Sequence, residues 1–279
     1  MIRKIAFGFA CLFFASGKIT GQEKSASITS PDGKIVVNVV QKKGSPPVYN
    51  ITYAGKLVLQ NSSLGIVRED ADFSKELKWK SSSSQEQVKD SYKIATAKKS
   101  SVTYLANRRV ISFLNKRNEK LNIIFQVSDD GVAFRYEFPV RSEEIKKIEK
   151  ELTSFHFIEG SRAWLQPKTE AQSGWEHSNP SYEAHYMMDI KTGTPSPGKN
   201  GWVYPALFRY DDVWMLITEA ALGRTYCGTA LQQFSDSNEY KINFPQEPEK
   251  FTNGVLYPES KLPWLTPWRI ITIGSLKTI

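Results

Sequence analysis

The sequence predicts an all-β fold, a sandwich of antiparallel sheets. Three observations carry this. Short runs alternate apolar and polar residues with period two, polar turn clusters separate them, and only one stretch shows helical spacing. Taken in order, Ser30-Pro31-Asp32-Gly33 is a turn feeding a strand over residues 34–40. Tyr49, Ile51 and Tyr53 alternate with Asn50 and Thr52, and Ala54-Gly55 turns the chain into Leu57-Val58-Leu59. Residues 110–114 and 121–127 read as strands around the polar loop 115–120. The most explicit hairpin follows. Leu121, Ile123, Phe125 and Val127 hold alternate positions, Ser128-Asp129-Asp130-Gly131 reverses the chain, and Val132, Phe134, Tyr136 and Phe138 alternate with Ala133, Arg135 and Glu137. Asp130-Gly131 is expected to supply the positive φ of a tight reversal. Residues 206–210 and 213–217, around Asp211-Asp212, form another hairpin. Residues 141–152 compete as a helix, with Ile145, Ile148 and Leu152 at helical spacing and Ser142 as a cap; strand and helix both stay open there. No repeat of fixed period is visible.

The first 22 residues stand apart. Arg3 and Lys4 precede an apolar run over residues 5–15, and the small, polar stretch 16–22 follows. This is the layout of a secretory signal peptide, too short for a stable membrane anchor, and it predicts a periplasmic or secreted protein. Gly8-Phe9-Ala10 before Cys11 lacks the aliphatic start of a lipoprotein signal. Cleavage near Gln22 would leave Cys227 as the sole cysteine, with no internal disulfide, which suits a bacterial periplasm or surface. Residues 23–279 then form one β domain, with Ser81-Ser82-Ser83-Ser84 a loop rather than a boundary. The formal charge of +8 falls to +5 once Arg3, Lys4 and Lys18 leave with the leader. No basic run is interleaved with aromatics, so the sequence predicts no nucleic-acid partner. It predicts no membrane span either.

Several chemistries are missing by inspection. There is no phosphate-binding glycine loop ending in Lys-Ser or Lys-Thr, no His-Glu-x-x-His zinc helix and no Gly-x-Ser-x-Gly elbow. Cys227 follows Tyr226 in apolar surroundings and reads as a small buried residue. His156, between Phe155 and Phe157, reads as structural.

The chemistry-bearing residues concentrate in Trp175-Glu176-His177-Ser178-Asn179-Pro180-Ser181-Tyr182-Glu183-Ala184-His185-Tyr186. Asn179-Pro180 is a turn, and beyond it an extended chain would put Ser181, Glu183 and His185 on one face. Such a cluster suits a sugar or metal site, and it also suits an ordinary strand edge. Trp175 is the candidate for stacking on a sugar ring and His185 for a pocket wall, while Glu183 reads as a solvent-facing strand carboxylate or a ligand. Glu219, after the strand 213–217, reads as a surface residue at a strand end or as pocket-facing. The loop 191–201, with five Gly/Pro residues, is a rim over the site or an idle surface loop. Trp79, Trp164, Trp202, Trp214, Trp264 and Trp268 read as core or as packing against a further domain; Trp264 and Trp268 sit beside Pro263 and Pro267, and exposed there they would favour aggregation.

Four segments carry a resemblance: Ser30-Pro31-Asp32-Gly33-Lys34, Asp129-Asp130-Gly131-Val132-Ala133-Phe134-Arg135-Tyr136, Ser181-Tyr182-Glu183, and Thr266-Pro267-Trp268-Arg269-Ile270-Ile271. In this order the chain resembles the amino-terminal domain of glycoside hydrolase family 97, a family of secreted α-glucosidases and α-galactosidases. The resemblance implies a galactose-mutarotase-like β-super-sandwich, followed in the family by a catalytic (β/α)₈ barrel and a small β domain. It further implies a calcium ion near the scissile sugar of an α-glycoside substrate, with Glu183 as the one ligand from this domain. The other calcium ligands and the catalytic carboxylates would come from the barrel, so the chain ending at Ile279 is expected to hold no catalytic residue and to be inactive alone. Two other readings remain: a stand-alone carbohydrate-binding module, and an aldose epimerase-like enzyme using His177 or His185 with Glu176 or Glu183.

Overall fold

Period-two patterning in the sequence becomes twenty strands among the described residues. The computed structural model describes residues 23–96, 100–169, 184–198, 200–232, 238–250 and 253–279. The strands are β1 (Lys24–Thr29), β2 (Ile35–Gln41), β3 (Val48–Tyr53), β4 (Lys56–Ser63), β5 (Ile66–Arg68), β6 (Ala71–Phe73) and β7 (Lys78–Ser82). There follow β8 (Glu86–Lys93), β9 (Ser101–Leu114), β10 (Lys120–Ser128), β11 (Gly131–Glu151), β12 (Ser154–Phe157), β13 (Arg162–Leu165) and β14 (Met187–Lys191). The last six are β15 (Ala206–Tyr210), β16 (Val213–Ala220), β17 (Ala230–Leu231), β18 (Glu239–Asn243), β19 (Glu259–Leu265) and β20 (Trp268–Gly274). The one helical element among the described residues is a 3₁₀ turn at Glu247–Glu249.

Two antiparallel sheets result, as expected. The small one has seven strands in the order β1-β2-β3-β4-β12-β18-β17. The large one has thirteen, with the path β14-β13-β15-β16-β20-β11-β10-β9-β7 and with β5, β6, β8 and β19 attached. Their inner faces meet through aromatic rings. Tyr49 of the small sheet packs on Phe134 of the large one, with centroids 5.1 Å apart, and Phe157 stacks on Phe208 at 3.8 Å. Alternation fixes what faces outward: Phe134 and Tyr136 point into this core, so Ala133 and Arg135 lie on the outer face of the large sheet.

The expected hairpins are present. Ala54 and Gly55 take φ of 49° and 79° at the β3–β4 reversal, and Asp211 takes 51° between β15 and β16. The β10–β11 reversal corrects one expectation, because Gly131 is not among the positive-φ residues. It pairs with Ser128 and with Thr272, and a Cβ there would lie 2.7 Å from the carbonyl oxygen of Ile271. Close strand approach requires this glycine, not turn geometry.

Residues 141–151 are strand, not helix. They form the far end of β11, where Ser142 pairs with Leu262, Lys146 with Ser260, and Ile148 with Arg68. Of the three apolar residues at helical spacing, Ile148 is buried and Ile145 is exposed. Twelve residues with so little apolar stripe form a marginal helix, and β-partners on either side supply the backbone bonds instead.

Candidate functional site

The chain leaves β13 at Leu165 and enters β14 at Met187, and these two residues pair. Whatever lies between them therefore begins and ends at one end of the sandwich. Trp175, Glu176, His177 and Glu183 belong to this interval and lie outside the described residues. His185 is described: it is exposed, two residues before β14. Tyr186 is also partly exposed and donates a hydrogen bond from its hydroxyl to the carbonyl of Pro205 at 3.4 Å.

A firm platform holds the interval's outgoing stem. The amide of Lys168 donates to the Gly201 carbonyl at 2.9 Å and that of Val203 to the Gln166 carbonyl at 3.1 Å. The Lys168 ammonium pairs with Glu249 at 2.7 Å, both side chains being nearly buried. Trp202 exchanges backbone bonds with Leu231 at 2.9 and 2.8 Å. Gly201 has φ +87°, and a Cβ there would sit 1.9 Å from the Leu231 carbonyl oxygen, so only glycine lets these segments touch.

Beneath the same end lies a buried charge cluster that sequence reading missed. Arg269, one residue into β20, is 1% exposed. Its Nε and Nη2 donate to both oxygens of Glu151 at 2.9 and 2.5 Å, and its Nη1 donates to Glu219 at 2.5 Å. The Tyr226 hydroxyl adds a bond to Glu151 at 2.8 Å, and Thr229 gives Glu219 its amide and its hydroxyl, each at 2.8 Å. Burial alone works against the guanidinium charge, but Glu151 and Glu219 outweigh it and raise the Arg269 pKa. Burial pushes Tyr204 and Tyr226 up as well. Glu219 is thus neither a surface residue nor pocket-facing: its side chain is 8% exposed and committed to Arg269. A carboxylate so engaged cannot protonate or attack a substrate in solvent. The cluster is a clamp joining β11, β16, β20 and the 226–229 segment.

Other candidates sort by burial. Trp264 is buried against Phe138 and Tyr226, the core alternative of its two readings. Trp268 is half-buried under the Arg135 guanidinium, which lies 4.1 Å from the ring centroid. Trp202 is core. Cys227 is only half-buried, although burial still raises its thiol pKa to about 12. In the loop 191–201, Thr192 and Gly193 bond to Asn238 and the Tyr240 hydroxyl, both at 2.9 Å, while Asn200 is buried beside Gly201. The first residues of this loop are thus anchored on β18 and its entry. Among the described residues no group of three or more His, Cys, Asp or Glu could hold a metal ion, so calcium would need ligands from outside them. No helix of the described residues is long and apolar enough to cross a membrane.

Two antiparallel sheets packed face to face through aromatic rings, with an anchored loop-bearing end, define a β-sandwich domain. The chain belongs to the glycosyl-hydrolase 97 N-terminal family, whose model matches residues 28–279. It is similar to the crystal structure of a beta-arabinopyranosidase, with TM-score 0.84 and 35% identity over 89% of this chain and 40% of that one. It is also similar to a family 97 enzyme from Pseudoalteromonas sp. strain K8 solved with acarbose, with TM-score 0.72 and 25% identity over 89% of this chain and 35% of that one. A probable retaining alpha-galactosidase of Streptomyces bingchenggensis (strain BCW-1) is 26% identical over 82% of this chain and 32% of its own length. The chain thus spans about a third to two fifths of these relatives.

Proposed function

We propose that this chain is the amino-terminal sandwich of a secreted, calcium-dependent α-glycosidase, shaping one side of the sugar pocket. The observation carrying this is a family match over residues 28–279 in a chain that corresponds to only 40% and 35% of two solved glycosidases. In this reading the segment between β13 and β14 faces the pocket. Glu183 gives the calcium ion one oxygen, Trp175 stacks on a sugar, and His185 walls the pocket. The relatives named for arabinopyranoside, acarbose and alpha-galactoside chemistry agree on a glycoside substrate. Both carboxylates of the Arg269 clamp are engaged by the guanidinium; this reading assigns hydrolysis to the catalytic barrel that the family resemblance implies.

The test is an assay of the purified chain on nitrophenyl α-glucoside, α-galactoside and β-arabinopyranoside, with calorimetry of Ca²⁺ binding. No turnover and only weak Ca²⁺ binding, lost in Glu183→Gln, is the expected result. Turnover by the chain alone, or tight Ca²⁺ binding untouched by Glu183→Gln, would overturn the reading.

A further inference from the structure

We propose that the outer face of the large sheet carries a groove for a neutral oligosaccharide, separate from the loop-bearing end. A cavity of about 660 Å³ lies there, lined by β8, β9, β10, β11 and β20. Its floor is low because its residues are small. Gly131 must lack a side chain to clear the Ile271 carbonyl, and Ala133 stands beside it. Taller rings flank this floor, Tyr104 and Tyr92 from β9 and β8 on one side and Trp268 from β20 on the other. From β9 to β20 is three interstrand steps, roughly 14 Å, room for more than one sugar ring.

The lining chemistry selects the ligand. Arg135 holds the Trp268 ring by stacking on it at 4.1 Å, and the Tyr104 hydroxyl donates to Gln126 Oε1 at 3.0 Å, which fixes both walls. Aromatic faces beside an amide, hydroxyls and carboxylates suit the C–H faces and hydroxyls of a sugar. Asp90, Asp129 and Asp130 line the groove, and the Arg135 guanidinium beside it is stacked on the Trp268 ring, so the lining disfavours phosphates, uronates and nucleic acids. The carboxylates are partly engaged already: Asp129 accepts the Asp32 amide at 2.8 Å and Asp130 the Ser128 hydroxyl at 2.6 Å. That moderates the pull on cations and leaves acceptor positions for hydroxyls. The proposal rests on the carbohydrate class argued above, but not on Glu183 or calcium.

The experiment titrates the purified chain with maltotriose and with raffinose, reading tryptophan emission and heat. Saturable binding of at least one sugar in the millimolar range is expected. Trp268→Ala and Tyr104→Ala should each weaken it roughly tenfold or more. Ala133→Trp, which fills the floor from the outer face, should abolish it, and Glu183→Gln should leave it unchanged. Circular dichroism melting checks each fold; if Ala133→Trp does not fold, the two wall variants decide. Absence of saturable binding, or equal affinity in the folded groove variants, would overturn the groove. Loss of binding in Glu183→Gln alone would place the sugar at the loop-bearing end and overturn it too.

Discussion

Arg269 and Glu151, 118 residues apart, meet through two hydrogen bonds with both side chains at most 1% exposed. The pair ties the end of β11 to the start of β20 beneath the loop-bearing end. With Glu219 it forms a buried triad in which one cation serves two carboxylates.

Breaking this triad on the basic side leaves two buried carboxylates uncompensated. Arg269→Met should cost about 3–5 kcal/mol, whereas the triple change Arg269→Met, Glu151→Leu, Glu219→Leu should recover most of the loss. Urea midpoints at unchanged m-value check this.

Gly201 and Gly33 both have positive φ, yet they differ in surroundings. A methyl at Gly201 collides with the Leu231 carbonyl, while nothing lies within 4 Å of one at Gly33. Gly33→Ala should cost about 1–2 kcal/mol from backbone strain alone, and Gly201→Ala clearly more. Paired denaturation curves give the comparison.

Acid should act partly through Asp32. Burial, the largest single influence, raises its pKa, but bonds from the Ser30 hydroxyl and the Lys34 amide and ammonium, with the Lys34 charge, together prevail and hold it at about 2. A folded pKa below the unfolded value means the contribution is complete above the ordinary carboxylate range and lost as pH falls toward 2. The stability gap between the native chain and Asp32→Asn should therefore narrow from pH 5 to pH 2. A gap constant over that range would contradict it.

Cys227 should be a poor nucleophile despite its partial exposure, because burial raises its thiol to about 12. Iodoacetamide at pH 8 should label it slowly in the native protein and faster in urea, as followed by mass mapping of its peptide.

Legibility in the sequence tracked locality. The β10–β11 and β15–β16 hairpins could be read because alternation and turn residues are contained within a few positions. The far end of β11 could not be settled, since its partners β5 and β19 are remote in sequence. Whether Trp264 is core or packs against a further domain could not be read locally, because Phe138 and Tyr226, which cover it, are remote in sequence. Of the named site residues, Trp175 and Glu183 lie outside the described structure, and His185 is placed only as an exposed residue before β14.

By itself the sequence determined the all-β class and the hairpins, and its motifs pointed to the family. Period-two alternation and turn chemistry set backbone conformation locally. Only the tertiary structure decided which charges are buried, that Glu219 serves Arg269, and that small residues on β11 sit between aromatic walls on β8, β9 and β20. Those outcomes depend on which strands become neighbours. That is settled by burying one face of each sheet against the other, across separations the local pattern does not encode.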